Sequence, residues 1–302
     1  MQFLSLPNAV ADEADVLILP VAYDRTVTYN KGTANGPAAI LAASEQLEFY
    51  EEDRQWAPTR FLKLCVLDEV SDNPGITEAD FHAQLAKTVS QLKQDNLFIG
   101  LGGEHSITPA MVKARMTEGT IVQIDAHADY RESYHGSIYN HACPMYRLRK
   151  AGYDLIQIGI RSLNETEAKA LASDSSITTW FDRQLQQPKQ FQALLEQLKS
   201  LSGNVWLTID FDGFTPTLFS GVGTPQPGGI SWHQGLDVLE ALTGNSNIQL
   251  RGVDLLEMIP EPNCVSDMTA AKLVQKVISY WGKARGFDKK AANGSQTGIA
   301  DD

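Results

Sequence analysis

Three side chains of metal-binding type occupy alternate positions in the segment VQIDAHADY, residues 122–130. Asp125, His127 and Asp129 follow an apolar run that is typical of a buried strand. An ionised carboxylate at the end of such a strand is costly unless a cation or a hydrogen-bonded partner compensates its charge. Coordination of a metal ion is therefore the chemistry that this spacing favours.

A second pair of carboxylates, Asp210 and Asp212, ends the apolar run VWLTIDF in the same way. Four carboxylates in one site would raise one another's pKa values, and two divalent ions remove that repulsion. Oxygen and imidazole ligands together suit Mn²⁺, whereas the absence of clustered cysteines argues against structural zinc. A purely structural role for both motifs would leave these acids uncompensated.

The elements that must position these residues are short apolar runs separated by segments with apolar residues at helical spacing. The runs are apolar on both faces, which is typical of buried parallel strands. They are DVLILPV, FLKLCVL, LFIGLGG, TIVQIDA, LIQIGIR, VWLTIDF and IQLRGVDLLE. Alternation of this kind predicts an α/β fold with one mostly parallel sheet that is covered by helices.

Polar clusters follow several of these predicted strands, where ligands bind in open parallel sheets. The clusters are GGEHS, DAHAD, YNHACP, TIDFDG and DLLEMIP. We therefore expect one site at the carboxyl edge of the sheet. Glu104 and His105 of GGEHS also have a simpler interpretation, because they precede a predicted helix and could cap it.

Composition and charge limit the partners. Of the 302 residues, 43% are hydrophobic and 21% are charged, as in a globular enzyme. The formal charge of -12 argues against nucleic acid as a partner, and the sequence has no apolar run long enough to span a membrane. Three widely spaced cysteines and the lack of a signal-like start predict a cytoplasmic protein. We expect one domain over residues 1–285 and a disordered tail over residues 286–302.

The motifs resemble those of the ureohydrolase family of arginase and agmatinase, in the order VTYNKGTANGPAAILAAS, GGEHS, DAHAD, GIRS, GVGTPQPGG, DLLEMIP and MTAAKL. The resemblance is greatest to agmatinases and aminopropyl-agmatine ureohydrolases. It implies an arginase-like, three-layer α/β/α fold, two Mn²⁺ ions and a trimer or hexamer. It also implies that His105 and Asp129 bind one ion, His127 and Asp212 bind the other, and Asp125 and Asp210 bridge the two.

The resemblance also implies catalytic roles. Asp129 would orient the attacking nucleophile, His141 of YNHACP would donate a proton to the departing amine, and Glu257 of DLLEMIP would pair with a guanidinium. A paired metal centre provides a nucleophile by lowering the pKa of water. The implied reaction releases urea and an amine.

Substrate choice stays open among several guanidino compounds. The loop YRESYHGSIYN is more similar to agmatinases than to arginase, so agmatine is the predicted cationic substrate. Glu132 can attract an amine, Arg131 can hold the carboxylate of a guanidino acid such as guanidinobutyrate, and Thr224 is a further predicted substrate contact. The alternatives are aminopropyl-agmatine, formimino-glutamate, arginine, or a non-catalytic regulator that has kept the fold.

Overall fold

The computed structural model describes residues 1–290, and one sheet runs through them. Its strands are β1 (Val16–Ala22), β2 (Leu64–Val66), β3 (Val70–Ser71), β4 (Leu97–Gly102), β5 (Thr120–Ile124), β6 (Asp154–Ile160), β7 (Ile177–Phe181), β8 (Gly203–Asp210) and β9 (Ile248–Leu256). Their order is β2-β1-β4-β9-β8-β5-β6-β7, with β3 paired to β1. Every pairing between these strands is parallel. The prediction of a mostly parallel sheet is confirmed.

Nine α-helices occur in the same residues. They are α1 (Gly36–Ser44), α2 (Glu78–Ser90), α3 (Thr108–Arg115), α4 (Pro144–Lys150), α5 (Glu165–Ser173), α6 (Asp182–Leu185), α7 (Pro188–Lys199), α8 (Trp232–Thr243) and α9 (Val265–Ala284). Helices α1, α7, α8 and α9 pack against one another, and so do α2, α3 and α4. Each group shares a separate apolar core with the strands. The molecule therefore has three layers, α/β/α, as predicted.

The central strands are apolar on both faces because both faces are covered by helices. Strands β1, β4 and β5 are almost completely buried along their lengths. A strand that is buried on both faces cannot show alternation of polar and apolar residues, which explains the continuous apolar runs in the sequence.

Strand β7 is absent from the predicted strands. It lies at the edge of the sheet, only its first residue is buried, and the sequence ITTWF is too polar to resemble a core strand. The short strand β3 was not predicted either.

The predicted disordered tail begins within the described residues. Phe287–Lys289 form a short 3-10 helix, and the ring of Phe287 stacks on Trp281 of α9 at 5.5 Å. The remainder of that segment, residues 291–302, lies outside the described residues. Among the described helices, none combines the length and apolarity that crossing a membrane requires.

Candidate active site

Four neighbouring strands in the middle of the sheet carry the predicted site residues. In the order β4-β9-β8-β5, their carboxyl ends lead to His105, Glu257, Asp210 and Asp125. These segments are far apart in the chain but adjacent in the sheet. The carboxyl ends of parallel strands lie on one edge, so the side chains meet there.

His105 lies at the centre of this group and is fully buried. Its Nε2 lies 2.8 Å from Thr208 Oγ1 on β8, which fixes the orientation of the ring. Its Nδ1 makes no hydrogen bond and faces three carboxylate oxygens, at 3.2 Å from Asp125, 3.3 Å from Asp129 and 3.5 Å from Asp210. A ring nitrogen surrounded by carboxylates in this way is placed as a metal ligand.

A second cluster shares Asp125 with the first. His127 Nδ1 lies 2.9 Å from Asp212 Oδ2 and 3.8 Å from Asp125 Oδ1. Backbone amides hold both carboxylates: His127 N–H donates to Asp125 at 2.6 Å, and Ala126 N–H donates to Asp212 at 3.0 Å. The structure thus places five of the six predicted ligands in two groups that share Asp125. The sixth, Asp129, lies beside the first group, with Oδ2 at 3.3 Å from His105 Nδ1.

Two of the predicted site residues have an unusual backbone conformation. Asp129 has φ of 48° and Glu257 has φ of 68°, both in the left-handed region that side chains other than glycine rarely adopt. Such strain persists where the surrounding structure requires it, and it is concentrated at functional sites. Both carboxylates reach His105, because Asp129 Oδ2 lies 3.3 Å from its Nδ1 and Glu257 Oε1 accepts from its backbone N–H.

Arg161 of the motif GIRS supports the loop that carries Asp212. Its guanidinium donates to the carbonyl oxygens of Asp212 at 2.6 Å and Gly213 at 3.3 Å. Gly213 packs so closely on Asp125 that a Cβ atom would lie 2.6 Å from the Asp125 nitrogen. A side chain at position 213 would push the loop of Asp212 away from Asp125.

The site holds an excess of buried negative charge. Burial, followed by repulsion from Asp129 and Asp212, raises the pKa of Asp125 to about 7, and burial raises the pKa of Asp210 well above its ordinary value. Burial alone would lower the pKa of His127, but Asp212 outweighs it and raises that pKa to about 10. In the absence of cations, protons would have to balance part of this charge. Divalent cations would replace them.

The residues fit a pair of metal ions. Each cluster offers one imidazole nitrogen and at least two carboxylate oxygens, and these atoms lie within 4.8 Å of one another. The unpaired Nδ1 of His105 and the raised carboxyl pKa values both call for a positive charge between the ligands. Oxygen and nitrogen donors without sulfur suit a hard or borderline cation.

A cavity of about 300 Å³ opens beside these clusters. Glu257 and His141 line it, and so do Arg131 and Thr224. Thr224 Oγ1 lies 3.5 Å from Asp212 Oδ2, beside the second cluster. Glu132, predicted to bind substrate, does not join them: its side chain is exposed and it does not line the cavity. Its neighbour Arg131 turns inward, which leaves Glu132 on the solvent side of the loop.

The Arginase family is the family whose model matches this chain, over residues 14–280. The chain belongs to the arginase family. The N(1)-aminopropylagmatine ureohydrolase of Synechocystis sp. is 34% identical over 296 residues, which cover 94% of this chain and 95% of that protein. The agmatinase of Pyrococcus horikoshii is 34% identical over 278 residues, which cover 91% of this chain and 95% of that protein.

Solved structures of arginase-family proteins share the fold. Agmatine ureohydrolase of Thermoplasma volcanium has a TM-score of 0.79 at 28% identity, with coverage of 92% of this chain and 93% of that one. The predictions of an arginase-like fold and of an arginase-family hydrolase are confirmed. Dependence on a binuclear metal centre is a property of this family, and the two clusters match it.

Some residues around the arginase-family site were not predicted from the sequence. Glu167 lines the cavity, where its carboxylate accepts hydrogen bonds from the backbone N–H groups of Tyr130 at 3.0 Å and Asn164 at 2.9 Å. The signal in the sequence was the pattern Asn164 to Glu167, which marks the start of a helix and gives no indication of a cavity. Tyr134 and Thr28 also line it.

Proposed function

We propose that this protein is a manganese-dependent ureohydrolase that cleaves agmatine to putrescine and urea. The observation that carries the proposal is the position of Glu257, a buried carboxylate that lines the cavity beside two adjoining clusters of metal-binding side chains. A guanidinium bound to Glu257 would lie next to the metal clusters.

A balance of charges supports a guanidinium substrate. Two divalent cations would neutralise the four aspartates of the clusters, Asp125, Asp129, Asp210 and Asp212. Glu257 would then be the uncompensated negative charge of the inner cavity. Burial and the neighbouring Glu104 raise the pKa of Glu257 well above its ordinary value, and a cationic ligand would oppose that shift. Guanidinium and carboxylate also have matching bidentate geometry.

The reaction needs a nucleophile and a proton donor. Divalent ions held by the two clusters would supply the first by lowering the pKa of water. The Asp129 carboxylate, at the same edge of the sheet, would orient the attacking water. Burial lowers the pKa of His141 below its ordinary value, so its ring is neutral at neutral pH. It can therefore accept a proton as attack occurs and deliver it to the departing amine.

The outer part of the cavity favours an amine tail over a carboxylate tail. Arg131 is already engaged, because its guanidinium lies 4.2 Å over the ring of Tyr134 and its Nε is 3.8 Å from Glu167 Oε2. A guanidino acid would have to compete with Glu167 for this cation. An amine would instead find the carboxylate of Glu167, whose oxygens retain lone pairs beyond their two backbone hydrogen bonds.

N(1)-aminopropylagmatine is the second candidate, and it has the same guanidinium and a longer cationic tail. Relatives from Synechocystis sp. and Thermus thermophilus that are 34% and 32% identical to this chain carry the name N(1)-aminopropylagmatine ureohydrolase. Arg131, which lines the cavity, is itself partly exposed, with 35% of its side chain accessible, so a longer tail that passes it would reach solvent.

A screen for urea release tests the proposal. Protein loaded with Mn²⁺ is assayed with agmatine, N(1)-aminopropylagmatine, arginine, guanidinobutyrate and guanidinopropionate, and formamide release is followed with formimino-glutamate. We expect the highest kcat/KM with an amine-tailed substrate, and equal amounts of urea and amine. Release of formamide alone, or no product from any of these compounds in protein with two bound ions, would overturn the proposal.

A further inference from the structure

Thr26, in the loop after β1, joins two residues that are distant in the chain. Its Oγ1 accepts a 2.9 Å hydrogen bond from the backbone N–H of His141 and lies 3.2 Å from His141 Nδ1. On its other side, Thr26 donates to the buried carboxylate of Glu104, from Oγ1 at 2.7 Å and from the backbone nitrogen at 2.6 Å. A continuous chain of hydrogen bonds thus runs from Glu104 through Thr26 to His141.

The directions of these bonds fix the state of the His141 ring. The Thr26 hydroxyl has one proton, and Glu104 Oε1 takes it, so Thr26 Oγ1 can only accept from His141. One lone pair accepts the His141 backbone N–H, and the other accepts from Nδ1. With Glu104 ionised, this arrangement puts the ring proton on Nδ1. In the neutral ring this leaves Nε2 without one, free to accept a proton on the side of the cavity that His141 lines.

The fold keeps this chain of bonds in place. The ends of β1 and β4 remain paired beyond the sheet: Gly103 N–H donates to Val21 O at 3.0 Å, and Glu104 N–H donates to Tyr23 O at 2.9 Å. The loop that carries Thr26 therefore crosses directly over Glu104. Ser106 Oγ also donates to Glu104 Oε1, so the carboxylate is held from two sides.

We propose that Thr26 is a positioning residue for His141, which it holds in the orientation and the Nδ1–H tautomer that proton transfer at Nε2 requires. Thr26 is absent from the cavity lining, so it acts through His141 and does not contact the substrate. This inference rests on the proposed function, in which His141 transfers the proton. The same logic applies wherever a histidine is oriented by a hydrogen bond at its second nitrogen.

The test compares Thr26→Val, which removes the hydroxyl at nearly constant volume, with Thr26→Ser, which keeps it. We expect Thr26→Val to lower kcat by about 10-fold to 100-fold, part of the loss that removal of a general acid produces. KM for agmatine should stay within about 3-fold of wild type, and Thr26→Ser should recover most of kcat. Thr243→Val is the matched control, because Thr243 is a buried threonine on α8 that donates to Leu239 O, remote from the site.

A double-mutant cycle shows whether Thr26 acts through His141. If it does, Thr26→Val should have almost no further effect on kcat in a His141→Ala background. Bound metal and melting temperature are measured on every variant. Three results would each overturn the inference. The first is a loss of kcat in His141→Ala without a loss in Thr26→Val. The second is a double variant in which the two losses multiply, and the third is a folded, metal-replete Thr26→Ser protein that does not recover activity. Unchanged kcat in His141→Ala would instead refute the assigned role of His141, and absence of urea from wild type would refute the proposed function.

Discussion

The backbone N–H of His105 donates a 2.7 Å hydrogen bond to Oε1 of Glu257, which couples a candidate metal ligand to the candidate guanidinium-binding carboxylate. Glu257 is held a second time, because its own N–H donates to Gly103 O at 2.7 Å. The distance between Glu257 and the metal-binding clusters is thus fixed by the adjacent strands β4 and β9. Oε1 of Glu257 accepts this one hydrogen bond and keeps a further lone pair, so both oxygens can still pair with a ligand.

Replacement of Glu257 by glutamine tests this arrangement. The amide oxygen can still accept from His105 N–H, but the negative charge is lost. We expect kcat/KM for agmatine to fall by about 30-fold to 1,000-fold, as when one partner of a buried charged pair is removed. Bound metal should be unchanged. Glu132→Gln, the same substitution at an exposed acid outside the cavity lining, serves as control, and equal activity of the two variants would contradict the role of Glu257.

Removal of a shared metal ligand should affect metal and turnover together. Asp125 belongs to both clusters, so Asp125→Asn should lower the metal content after dialysis and reduce urea release by more than about 1,000-fold. The sheet should survive, because strand β5 keeps its pairings with β6 and β8. Metal analysis, circular dichroism and the urea assay on one preparation decide the matter. Two retained ions with full activity would exclude Asp125 as a bridging ligand.

The candidate metal-binding residues could be recognised in the sequence because the cost of burying their charges is visible locally. An acid at the end of an apolar strand needs compensation, so Asp125 and Asp210 could be identified without any knowledge of tertiary contacts. The sequence did not predict edge strand β7, whose side chains are only partly buried.

The wall of the cavity was harder to predict for a different reason. Glu167, in the first turn of α5, and Tyr134, in a loop, reach it along a chain path that depends on the whole fold, and the local pattern around Glu167 signals only a helix start. The left-handed backbone at Asp129 and Glu257 is likewise invisible in the sequence, because neither residue type requires it. Propensity describes what a residue favours, whereas these two conformations are imposed by tertiary structure.

Arg131 provides a test of tail recognition. In Arg131→Met the cation beside Glu167 is removed, which should favour substrates with a positive tail. We expect the ratio of kcat/KM for agmatine to that for guanidinobutyrate to rise roughly 5-fold, the equivalent of about 1 kcal/mol for one charge near the protein surface. The ratio is measured by urea release under matched metal loading. If guanidinobutyrate is the best substrate of the wild type and Arg131→Met no longer hydrolyses it, Arg131 instead binds the carboxylate of the substrate.

A second buried network, remote from the site, joins α9 to the segment after α1. Lys276 is almost fully buried and donates to three acids: Glu51, Glu52 at 2.7 Å and Asp53 at 2.6 Å. Ser279 Oγ adds a 2.9 Å hydrogen bond to the buried Glu51. Lys276 thus neutralises charge inside the protein, a structural role that needs no metal ion.

Replacement of Lys276 by methionine keeps the length of the side chain and removes its charge. The fully buried Glu51 would then lack its cation, so we expect the free energy of unfolding to fall by about 3–5 kcal/mol. Lys272→Met is the matched control on the same helix. Lys272 pairs with Glu52 near the surface, at 3.1 Å, and its loss should cost less than about 1 kcal/mol. Urea denaturation followed by circular dichroism measures the free energy of unfolding of both variants. An equal loss in the two would show that burial of the Lys276 pair with Glu51 is unimportant for stability.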